Sequence, residues 1–187
     1  MTEDAFRLEQ NASGRISASF VSRRGWRAIP VLDRPNVITL EAADIMARLV
    51  AGTVNAAPSR IGVVYGSDAL PSFVNPETTR DHDWESLAEE VGAVGGNVAI
   101  MPLSLTPSVS GRVATFSANS GTISRYGFDG APYAGPISTL DPLYFYQVVL
   151  LDAEHRIFAR STLLDSGVYR AKPEDYDLAI QWAITFK

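Results

Sequence analysis

Leu143-Tyr-Phe-Tyr-Gln-Val-Val-Leu-Leu151, Arg156-Ile-Phe-Ala-Arg-Ser-Thr-Leu163 and Leu178-Ala-Ile-Gln-Trp-Ala-Ile-Thr-Phe186 are the three stretches that decide the fold. The first two are strongly apolar and flank the short polar segment Asp152-Ala-Glu-His155, the pattern of two strands joined by a hairpin turn. The third keeps a period of two from end to end. Leu178, Ile180, Trp182, Ile184 and Phe186 fall on one face, and Ala179, Gln181, Ala183, Thr185 and Lys187 on the other. Strands expose successive side chains on opposite faces, so one face is core and the other meets solvent or a partner. A final strand of this kind completes the core only when the whole chain is present.

Working outward, Thr39 is placed to cap a helix over residues 39–54, in which Ala42, Ile45, Met46, Leu49 and Val50 form one apolar stripe and Gly52 marks the end. Ile61-Gly-Val-Val-Tyr65 reads as a buried strand stopped by Gly66. Asp83 to Val91 reads as a short helix with Asp83 as its cap. Strands are expected over residues 98–105 and 112–118, with Pro102 confining the first to an edge or a bulge. Residues 1–36 differ in composition and read as an extended N-terminal arm: Arg15 to Val21 alternate roughly, and Arg23-Arg24-Gly25 suits a turn. The same pattern fits an edge hairpin of the main domain. The expected architecture is mainly β, an antiparallel β-sandwich over residues 37–187 with one packed α-helix and the arm at 1–36, an arm whose removal leaves a folded domain.

Composition narrows the function. The 187 residues suit one domain, and 46% hydrophobic with 20% charged residues exclude disorder. A net charge of -5, from 16 Lys and Arg against 21 Asp and Glu, gives no electrostatic footprint for nucleic acid or an anionic membrane. No apolar run reaches the ~20 residues that span a bilayer, so no membrane insertion is expected. The absence of cysteine removes disulfides, thiolate nucleophiles and Cys-ligated metals. The acidic N-terminus does not resemble a signal peptide, which points to synthesis in a cytoplasm.

Candidate chemistry is sparse. Asp81-His82-Asp83 places an imidazole between carboxylates, yet adjacent residues point in different directions and match no zinc spacing. His155 reads as a solvated turn histidine. No Gly-x-Ser-x-Gly elbow or phosphate loop is present, and nothing selects a catalytic pair from Glu89, Glu90, Asp129 and Asp141. No enzyme activity, metal or cofactor is therefore expected. The long interval 119–142 carries Tyr126, Phe128 and Tyr133, and the arm carries Arg23, Arg24 and Trp26; these six are the interface candidates, since aromatics and arginine anchor contact surfaces. With Trp84, the loop aromatics also suit stacking on a sugar ring.

Four pieces together, the helix Leu40-Glu-Ala-Ala-Asp-Ile-Met-Ala-Arg-Leu-Val-Ala-Gly52, the strand Ile61-Gly-Val-Val-Tyr-Gly66, a hairpin ending Ile157-Phe-Ala-Arg-Ser-Thr162 and the closing strand Ile180-Gln-Trp-Ala-Ile-Thr-Phe186, give the chain a likeness. It resembles small structural proteins of tailed bacteriophages. The resemblance covers roughly residues 37–187 and implies a virion component of the tail, at the baseplate or fibre base, that joins itself as a homo-oligomer and other phage tail proteins. It supplies no active-site residues. The alternatives are a carbohydrate-binding module recognising a host surface glycan through the 119–142 loop, and a capsid decoration protein.

Overall fold

The computed structural model describes residues 12–24, 27–39, 41–53, 57–66, 84–93, 97–103, 105–119, 125–126, 132–133, 144–165, 168–173 and 175–186. Nine of its strands make one antiparallel sheet: β1 (Ala12–Ser22), β2 (Ala28–Ile38), β3 (Arg60–Gly66), β4 (Asn97–Pro102), β5 (Ser108–Ser110), β6 (Val113–Asn119), β9 (Tyr144–Leu151), β10 (Ile157–Thr162) and β13 (Tyr176–Phe186). Two small ribbons pair β7 (Arg125–Tyr126) with β8 (Pro132–Tyr133) and β11 (Leu164–Asp165) with β12 (Val168–Tyr169). The helices are α1 (Glu41–Val50) and α2 (Trp84–Ala93).

The strand order is β4-β3-β9-β10-β2-β1-β13-β6-β5, and the sheet curls into a half-barrel. The protein is mainly β, as the three opening stretches require. Two separate sheets, the expected sandwich, are not confirmed, because one hydrogen-bonded ladder runs through all nine strands. That ladder is thinnest between β10 and β2, where only Ala159↔Ile38 and Arg160↔Val37 pair.

The segment expected to be an arm is built into the sheet. β1 pairs with β13 along its full length, from Ala12↔Phe186 to Ser22↔Tyr176, and with β2 on its other side. Residues 12–22 and 28–36 are therefore inner strands rather than an extension, while residues 1–11, 25 and 26 lie outside the described ones. The reason is register: Ile16, Ala18 and Phe20 stand opposite Trp182, Ile180 and Leu178, so two one-faced strands complete each other's apolar face. Neither could do so alone.

That shared face, with Val63, Val148, Leu150 and Phe158, lines the inside of the curl. α1 closes it with Ala42 and Ile45. Thr39 does not spend its hydroxyl on capping; it donates to the carbonyls of Ile157 and Phe158 on β10, and the Glu41 carboxylate accepts the Ile157 amide at 2.9 Å. The first turn of α1 is thus pinned to β10. Its end is as expected: Gly52 sits at φ 82, with its amide on the Leu49 carbonyl and the Thr53 amide on that of Arg48, a Schellman closure. The helix is shorter than the 39–54 expected.

A second apolar layer lies on the outside of β4, β3, β9 and β10, where Val64, Ile100, Val149 and Leu151 meet Trp84, Leu87, Ala88 and Val91 of α2. Gly62 permits this approach: a Cβ there would stand 2.4 Å from Cζ3 of Trp84 and 2.7 Å from Cγ2 of Val149. Pro102 falls on the edge strand β4, as a missing amide demands.

Candidate functional site

Two places carry the chemistry of the described residues. The first is the outer face of β1, β13 and β6. The residues that alternate with the core on these strands are small or polar, and six of them, Ser17, Ser19, Ser117, Asn119, Ala179 and Gln181, line a shallow depression of about 330 Å³. No aromatic side chain lines it. Where α2 covers the neighbouring half of the sheet, no described element covers this one.

Charge on this face is balanced. Arg15 donates to both carboxylate oxygens of Asp33, at 2.7 and 2.9 Å, across the β1–β2 pair. That hydrogen bond outweighs the desolvation of the carboxylate and, with the guanidinium's charge, holds the Asp33 carboxyl below the usual range. Arg23 and Arg24 occupy the β1–β2 turn and meet Asp177 and Asp175 at 3.3 and 3.8 Å. Two of the six interface candidates are thus tied to carboxylates of their own chain. Tyr126 and Tyr133 lie on the β7–β8 ribbon, which runs beside β4 at one border of the sheet, away from the β1–β2 turn near its middle. Trp26, Phe128 and His82 lie outside the described residues. Of the four described candidates, the two arginines thus belong to the β1–β2 turn and the two tyrosines to the β7–β8 ribbon.

The second place was missed in the sequence. Asp152, fully buried, opens the β9–β10 turn and accepts the amides of Glu154 at 2.8 Å and Arg156 at 3.0 Å, together with Nε and Nη2 of Arg156 at 2.8 and 2.5 Å. Arg156 also reaches Asp44 of α1 at 2.8 Å, and Arg48 of α1 joins Asp44 at 3.0 Å and Glu154 at 3.3 Å. Burial works against the Arg156 cation, but its hydrogen bonds and attraction to Asp152, Glu154 and Asp44 outweigh this and raise its pKa further. The signal available was Asp-x-x-x-Arg spanning a predicted turn, a spacing that fits a local ion pair.

His155, in the same turn, adopts φ 63 and is not simply solvated. Its Nε2 lies 2.7 Å from Nη1 of Arg60 on β3, and its Nδ1 lies 3.3 Å from the Glu85 carboxylate on α2. Both ring nitrogens are engaged, one of them by a cation, which is a poor arrangement for a general base. Among the described residues no group of three or more His, Asp or Glu side chains is placed to hold a metal ion, and no helix is long and apolar enough to cross a membrane. No protein-family model, curated protein or solved structure matches the chain.

Proposed function

We propose that this chain is a non-catalytic structural subunit that packs against copies of itself, of the kind found in the tails of bacteriophage particles at the baseplate or fibre base. The observation that carries the reading is the open outer face of β1, β13 and β6. Most of its side chains are short enough for close approach, and three arginines on it or in the adjoining turn pair with aspartates, Arg15 with Asp33, Arg23 with Asp177 and Arg24 with Asp175. Charges paired in this way let the face meet its own copy with less of the repulsion that a chain of net charge -5 would otherwise bring. The likeness to small tail proteins supports the virion setting. A glycan-binding role draws less support from this face, because sugar rings are usually held on aromatic planes and none lines the depression.

The test is light scattering coupled to size exclusion. The wild-type chain is expected to be an oligomer, and Ser117→Arg with Ala179→Arg to release monomers of unchanged circular dichroism. A monomeric wild type at high concentration overturns the reading, and specific retention on a glycan array moves it to the carbohydrate module. Locating the chain in a cryo-EM map of an intact particle tests the virion setting separately.

A further inference from the structure

We propose that His155 is a proton-driven exchange point, which holds Arg60 while the ring is neutral and releases it when the ring is charged. The ring is well placed to act this way because its backbone is fixed. The Asp152 carboxylate binds the amides on either side of His155, those of Glu154 and Arg156, and His155 itself sits in the left-handed region at φ 63. The imidazole is thereby held between β3 and α2.

A guanidinium has donors only. The 2.7 Å contact between Arg60 Nη1 and His155 Nε2 therefore assigns Nε2 as the bare acceptor nitrogen, with the single ring proton on Nδ1, facing Glu85 at 3.3 Å. A second proton has only Nε2 to go to. Once there, it sets an N–H against an N–H and a positive ring against a positive guanidinium, so this contact opens. The Nδ1–H bond to Glu85 becomes an ion pair at the same moment. The ring exchanges a shared position between β3 and α2 for a tighter hold on α2 alone.

The remaining charges nearby do not cancel this. From the same turn, Arg156 is held by Asp152 and Asp44, and Glu154 by Arg48; from α1, Asp44 and Arg48 are joined to each other. Glu85 from α2 is the carboxylate that reaches the ring, and among the described residues Arg60 has no carboxylate to hold it when the ring lets go.

The experiment is nitrogen-15 NMR on the full chain, followed from an upper pH at which the ring is neutral down to one at which it is charged. At the upper pH, long-range correlations are expected to show Nδ1 protonated and Nε2 bare. The Arg60 guanidinium signals should then shift as His155 charges, and stay in place in His155→Gln, whose amide oxygen accepts from Arg60 but does not titrate. A proton on Nε2 at the upper pH overturns the proposal, as does an equal movement of Arg60 in both proteins. Should His155→Gln fail to fold, the tautomer in the wild type decides alone.

Discussion

The two halves of the sheet share one inner core but treat their outer faces in opposite ways. In β3, β9 and β10 nearly every residue is buried, on both faces, because α2 covers the outside. In β1 and β13 burial alternates, and the outside is left mostly to Ser, Ala, Thr and Gln, with Arg15 and Asp177 among them. The lesson is that strand pattern encodes what lies on the far side: a continuous apolar run announces a second cover, and strict alternation announces none. The two halves meet at the short β2–β10 seam, so each depends on the inner core more than on its neighbour's ladder.

The comparison breaks most completely if the open half is emptied at its centre. Deleting residues 1–30 removes β1, which lies between β2 and β13, and should abolish soluble folding. A soluble deletion product with a cooperative unfolding transition would show that the covered half and β13 stand without it. Trp182→Ala comes next: this side chain is fully buried on the inner face of β13, and its loss should cost about 3–5 kcal/mol in urea denaturation. A smaller cost would mean that the inner core is loosely packed at the open half.

Gly62→Val sharpens the contrast from the covered side. The new side chain drives into Trp84 and Val149, and should lower stability by about 1–3 kcal/mol while loosening α2, which amide exchange in residues 84–93 would report. Ser117→Val is its counterpart on the open face and should stay within about 0.5 kcal/mol of wild type. Equal effects at the two positions would erase the distinction between the faces.

The smallest expected effect concerns pH. Asp33 has its pKa depressed in the folded chain, chiefly by the Arg15 hydrogen bond, so its contribution is present above the ordinary carboxylate range and is lost as pH falls through the depressed value. Asp33→Asn should therefore lie slightly below wild type in melting temperature at neutral pH, with the gap closing in acid. Because the pair is exposed, salt should shrink the gap too. A gap that widens in acid would contradict the assignment.

Much of this was legible from residue order. The alternation of Leu178 to Phe186, the apolar runs around Asp152 to His155, the edge position of Pro102 and the closure at Gly52 are local consequences of side-chain period and backbone chemistry. They establish a mainly β chain with a helix after Thr39. Tertiary structure alone decided the rest. Residues 12–36 carry too weak a pattern to reveal that Ile16 and Phe20 find their partners about 160 positions later, at Trp182 and Leu178. Nor does any local rule turn Thr39 from a cap into a tether on β10, or set His155 between Arg60 and Glu85, because each of those contacts joins residues far apart in sequence. Period and propensity act over a few residues; pairing, cover and the charged knot at the β9–β10 turn depend on which segments the curl of the sheet brings together.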